Sequence, residues 1–186
     1  MVPPCGTTRG RRSDVSLPGR THAEENHRMI ATTAPVETTR RGTSAARGAE
    51  AAEHRRWEEL AEKVREAGQY ATRSEAERVT RIVLSALGGH VTGEERVDLA
   101  RTLPREAAQV IASQIPVTRP LTAPEFVEAA AARIEGSTPA TARWDVSSVL
   151  SVLADMLAPN LLNRILAQLP PGYALLFGRA ELPSAR

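Results

Sequence analysis

Val83-Leu84-Ser85-Ala86-Leu87, followed by Leu103-Pro104, returns 66 residues later as Val149-Leu150-Ser151-Val152-Leu153 and Leu169-Pro170. Working outward at the same spacing, Ala76 falls on Ala142, Glu59 on Glu125 and Glu62 on Glu128. Residues 57–111 overlay 123–177 without a gap, with 11 identities in 55 pairs, and most other apolar sites stay apolar. Self-similarity at a fixed spacing marks a repeated supersecondary unit, so the repeat decides the architecture before any local reading.

Each copy reads as helices. Trp57, Leu60, Ala61, Val64 and Ala67 follow the three-and-four spacing of one buried helical stripe, in a helix expected to start at Ala49 or Ala51 and to stop at Gly68. Thr72 with Glu75 has capping-box spacing and opens a helix that buries Ala76, Val79, Val83, Ala86 and Leu87 and stops at Gly88-Gly89. Thr92 with Glu95 opens a third, directing Val97, Leu99, Ala100 and Leu103 inward up to Pro104, and a short fourth runs from Arg105 to Gln114. Ile115-Pro116-Val117-Thr118-Arg119-Pro120-Leu121 is a stiff linker.

The second copy replays the plan. Thr122 caps a helix with the stripe Phe126, Ala130, Ile134, and Gly136 ends it. Thr138-Pro139 opens a long helix carrying Val146, Val149, Leu150, Val152, Leu153 and Leu157. Pro159-Asn160 opens one with Leu161, Leu162, Ile165, Leu166 and Leu169, which is either central to the fold or an exposed sticky face; central burial is favoured. Tyr173 and Phe177 close the last turn before Gly178. The expected fold class is all-α, a tandem duplicated helical bundle with about four helices per repeat: repeat one 55–114 and repeat two 122–178 within a domain 51–180. At about 55 residues neither copy buries enough surface alone, so mutual packing is expected.

Residues 1–50, rich in Arg, Thr, Ser, Gly and Pro without apolar periodicity, are expected to be a disordered basic tail, and 181–186 a disordered end. A start at Met29 would remove Cys5, the single cysteine, and leave both repeats intact. Residues 1–56 hold ten arginines against six acids, while the remainder has 14 basic and 16 acidic residues, so the folded part is mildly acidic. With 41% hydrophobic but only 3% aromatic content, the core must be aliphatic, which suits close helix packing. No apolar run approaches the roughly 20 residues of a membrane helix, and Arg11-Arg12 lacks the apolar core of an export signal. The expectation is a cytoplasmic protein.

The phrase Arg81–Leu87, Thr92-Gly93-Glu94-Glu95, Leu99-Ala100-Arg101-Thr102-Leu103-Pro104, and its second ending Leu166-Ala167-Gln168-Leu169-Pro170-Pro171-Gly172-Tyr173-Ala174-Leu175-Leu176-Phe177, resembles the bacterial domain-of-unknown-function family 2267. The resemblance covers about residues 55–180. It implies an all-helical tandem repeat and carries over no catalytic residue. The first copy departs from the family pattern, with Thr102 where Gln is more typical and Arg105-Glu106 leading into a weaker last helix.

Chemistry is sparse. His22 and His27, near Glu24 and Glu25, sit in the tail with no fold to orient them; His54 reads as a solvated helix residue and His90 as a cation at a helix C-terminus. Glu24-x-x-His27 has di-metal spacing but lies in the tail, and Glu50-x-x-x-His54 does not. Glu58, Glu59, Glu62, Glu75 and Glu77 read as a solvated face and caps. Gly88-Gly89 lacks a phosphate-loop context, and Ser85 and Ser151 lack a base. Catalytic residues, metal ligands and cofactors are therefore expected to be none. Trp57 reads as core. Trp144 aligns with the polar Arg78 and either packs between repeats or stands exposed as a possible contact residue. The favoured reading is a non-enzymatic interaction or adaptor module with a protein partner and no membrane. The alternatives are a nucleic-acid-associated protein using the tail, weakened by its dispersed arginines, and a small-ligand carrier or enzyme with an inter-repeat pocket. Oligomeric state is left open.

Overall fold

The structure, a computed structural model, describes residues 37–179, with side chains described from residue 45. The tail residues 1–36, including Cys5, His22, His27 and Met29, and the end 180–186 lie outside the described residues. Eight helices and no strand occur among the described residues: α1 (Glu37–Gly68), α2 (Arg73–His90), α3 (Gly93–Thr102), α4 (Arg105–Ala112), α5 (Ala123–Ala131), α6 (Pro139–Met156), α7 (Pro159–Gln168) and α8 (Tyr173–Leu176). The fold is all-α.

The boundaries repeat. α2 and α6 start and end 66 residues apart, and so do α3 and α7. Burial repeats with them: Val83, Leu84, Leu87 and Leu99 are fully buried, as are Val149, Leu150, Leu153 and Ile165. The two halves cross-pack. α1 lies on α2 and also on α6, while α5 lies on α6 and also on α2; α2 meets α6, and α3 meets α7. Exchanging the halves leaves these pairings unchanged. Both halves thus share one aliphatic core, in which Val83, Leu84, Phe126, Leu150 and Leu153 are buried.

Several local expectations are corrected. α1 begins at Glu37, ahead of the expected Ala49 or Ala51. Residues 45–50 are all exposed, so this stretch is propagation from the packed turns, at low cost per residue. α2 continues through Gly88-Gly89 to His90. The glycines serve close approach: a Cβ on Gly88 would lie 2.9 Å from the Ile111 backbone of α4. Val97 points outward at 47% exposure, because α3 turns Leu99 and Leu103 inward instead. Thr92 makes no side-chain cap; its N–H donates to Gln168 Oε1 (3.1 Å), and Glu95 turns to α7, accepting from Gln168 Nε2 (2.6 Å) and facing Arg164 (3.3 Å). α4 stops at Ala112, ahead of the expected Gln114, and is twice as long as α8. Pro170-Pro171-Gly172 delays α8, with Gly172 at φ 100°.

Other expectations match. Thr72 Oγ1 accepts from Glu75 N–H, and Thr122 and Thr138 each form a full capping box. Leu161, Leu162 and Ile165 of α7, and Leu169 just past its end, are buried, which resolves the question of the third helix in favour of burial. The linker is pinned by Val117 N–H donating to the Gly89 carbonyl (2.9 Å).

Candidate binding cleft

Trp57 and Ala123 occupy matching positions 66 residues apart, and the space around them differs. In the first half the Trp57 ring is 1% exposed beneath α4. The Arg81 guanidinium lies 4.8 Å from its ring centroid and is held there by Glu106 of α4 at 2.6 Å. Glu53, one turn before Trp57 on α1, accepts the N–H of Arg105 at the start of α4 (2.9 Å) and pairs with Arg56 (2.8 Å). That N–H, and then Arg56, hold the Glu53 carboxyl below its ordinary value. A shallow polar cleft of about 340 Å³ remains over the ring, bordered by Glu50, Glu53, His54 and Gln109.

Every part of this closure is missing in the second half. Ala123 stands for Trp57, Ser147 for Arg81 and Gly172 for Glu106. Pro171 stands for Arg105 and has no N–H to offer, and α5 begins at Ala123 with no helical turn before it. The segment ahead of it meets α8 through the Leu121 carbonyl, which accepts from Tyr173 OH (3.0 Å). The result is an apolar cleft of about 450 Å³. Its walls are Ala123, Pro124 and Val127 of α5, Pro139 of α6, and Pro171, Leu175 and Leu176 around α8. Glu128 and Arg143 stand at its edge, both exposed, and neither makes an ion pair among the described residues. Gly172 forms part of the floor; a Cβ there would come within 3.2 Å of the Ala123 Cβ.

The model for an uncharacterized conserved protein family (DUF2267) matches residues 57–176. The chain belongs to the DUF2267 family. No curated protein matches it. The DUF2267 span opens on Trp57 and closes on Leu176, so it takes in the whole second cleft, while Glu50, Glu53 and His54 of the first lie before it.

A third cleft of this DUF2267 chain, about 360 Å³ between α3 and α4, is lined by Arg96, Val97, Ala100, Arg101 and Ala112. Arg96 is spent there on the α4 C-terminus, donating to the carbonyls of Ile111 and Gln114. Each of these three clefts lies on one half.

Trp144 packs between the halves and is also exposed. Its indole N–H donates to the Gly68 carbonyl at the end of α1 (3.1 Å), tying α6 to the other half, yet the ring is 57% exposed. Beside it Tyr70 OH donates to Asp145 (2.7 Å); burial, then that carboxylate, push the phenol well above its ordinary value. His54 is a solvated residue 3.8 Å from Glu58, as read from the sequence. Ser85 and Ser151 are hydrogen-bonded to Gln114 and to the Ser148 carbonyl, respectively.

Sequence reasoning missed the surroundings of His90. It reaches the Ala86 carbonyl from Nδ1 (2.8 Å), as a helix-end residue can, but it is buried against Phe126 (5.4 Å, edge-on) and Tyr173 (6.5 Å). Its Nε2 is buried without a partner. The only signal was its matching residue, the apolar Met156. No group of three or more metal-ligating side chains occurs among the described residues, and no helix among them is long and apolar enough to cross a membrane.

Proposed function

We propose that the chain is a non-enzymatic binding module made of two tandem copies of one four-helix plan. The first copy is a closed support, and the second offers its cleft to a protein partner. One observation supports this: the position filled by Trp57 in one half is vacated at Ala123 in the other, together with the side chains that would close over it. Four matching positions around that ring differ between the halves: Trp57 and Ala123, Arg81 and Ser147, Arg105 and Pro171, Glu106 and Gly172. Leu175, 53% exposed, gives the cleft an apolar lip, and Trp144 is a second contact residue. The cytoplasm is the proposed location.

Affinity purification of the full chain and of Leu175→Asp from the native host, read by mass spectrometry, tests the reading. Leu175→Asp charges the lip without entering the core, so a partner held in the cleft is lost from the variant. Partners recovered equally by both proteins would refute the cleft as the site.

A further inference from the structure

The geometry points to an aromatic side chain of indole size, carried on a helix of the partner, as the group that enters the α5–α6–α8 cleft; this inference rests on the binding-module reading above. The first half supplies the template. There an indole arrives on a helix, Trp57 of α1, and lies beneath α4 with 1% of its surface exposed. Four residues bordering the first cleft (Trp57, Arg105, Glu106 and Gln109) match four that line the second: Ala123, Pro171, Gly172 and Leu175. The second half therefore has a recess at the matching place and lacks both the ring and the side chains that close over it. α1 extends beyond its cleft toward its N-terminus, whereas α5 starts at Ala123, so the path along which the Trp57 helix runs in the first half is not taken by a helix in the second.

Charge agrees with a peptide occupant. In the first half the positions matching Glu128 and Arg143 are Glu62 and Glu77, which pair with Arg65 (2.8 Å) and with Arg81 (3.3 Å) of the same chain. Glu128 and Arg143 make no ion pair among the described residues, and they flank the opening with both signs of charge. A helix flanked by opposite charges completes those pairs at the rim, while its ring occupies the apolar floor. Exposed pairs of this kind select register and orientation more than they add affinity.

The test uses the full chain with N-acetyl-L-tryptophanamide as the side-chain probe and free indole as the small-molecule control, read by methyl NMR titration. Expected is saturable binding of the amide with a Kd on the order of 1 mM, with shifts centred on Val127, Leu175 and Leu176. Ala123→Trp, which supplies the missing ring from within, should weaken that binding by about tenfold or more. Ala123→Leu is the smaller filler if the indole does not seat. No saturable binding, or binding unchanged in a folded filled variant, overturns the inference. Indole bound while the amide is excluded also overturns it, in favour of a small ligand. Should the probes fail while Leu175→Asp still loses a partner, the ring is wrong and the module reading stands; if both fail, the module reading falls with it.

Discussion

Replacing Trp57 with Ala removes the ring on which the closed half is built, and the expected loss follows from three contributions. Truncating a buried Trp costs about 3–5 kcal/mol through lost burial and the cavity left behind. The stacked Arg81 adds only about 0.5 kcal/mol, the low end for a cation–π pair, because its side chain is 41% exposed. Against this, Trp57 Nε1 is buried with no hydrogen-bond partner, and deleting it relieves roughly 1 kcal/mol or more of desolvation. The net is a loss of about 2.5–4.5 kcal/mol. With a urea m-value of about 2 kcal/mol per molar, the midpoint falls by roughly 1.2–2.2 M. Far-UV circular dichroism follows the helices, and Trp144 remains as an independent fluorescent reporter. Trp57→Phe keeps a ring and removes the unpaired N–H, so it should lose about 1 kcal/mol or less. A midpoint shift under about 0.5 M for Trp57→Ala, or equal losses for both variants, would refute the account.

Three further outcomes are expected. Gly68→Ala places a Cβ 2.1 Å from the Tyr70 ring, so the ring must move and its bond to Asp145 breaks; denaturation should show a loss of about 2 kcal/mol or more. Glu125 is held down to about 2 by the Thr122 N–H first, then by Arg119 and the Thr122 hydroxyl. Because its folded value lies below the ordinary 4.5, its contribution is complete above about pH 4.5 and is lost as pH falls toward 2; carboxyl NMR should show this titration, and Thr122→Ala should raise it. Ala123→Trp should raise the urea midpoint, since an indole half-covered by the cleft walls gains about 1–2 kcal/mol of apolar burial; a lowered midpoint would show that the recess does not match the first half.

Helix starts were legible because capping chemistry is local: Thr72, Thr122 and Thr138 cap from their own side chains, and Pro139 and Pro159 mark first turns. Failures occurred where a distant residue competes. Thr92 looks like another cap, but Gln168 takes its N–H and draws Glu95 away to α7. Gly88-Gly89 looks like a stop, but the approach of Ile111 is what requires glycine there. The cleft was written in the sequence as the mismatch of Trp57 with Ala123, yet its meaning depends on Arg81, Glu53 and Glu106 converging on one ring from three helices. That convergence exists only in the folded chain.

The cross-packing explains how one half can remain open without loosening the other. An unfilled recess forfeits burial, and a 55-residue bundle has little to spare. Here the α6 wall of the open cleft is not supported by its own half alone: α1 of the closed half lies along it, with Trp144 and Asp145 bonded to Gly68 and Tyr70. α5, the other wall, is backed by α2, and its Phe126 packs on His90. Both walls of the cleft are thus braced by helices whose own matching recess is filled by Trp57. The arrangement implies that the structure of the closed half does not depend on what the open cleft holds. Destabilising the closed half through Trp57 should loosen the open cleft and weaken whatever it holds, whereas filling the cleft at Ala123 should leave the environment of Trp57 unchanged. Fluorescence of Trp57 in a Trp144→Phe background, compared with and without Ala123→Leu, measures the second half of that statement directly. A spectral shift on filling would show that the structure around Trp57 depends on what the cleft holds, and the division into support and site would then fail.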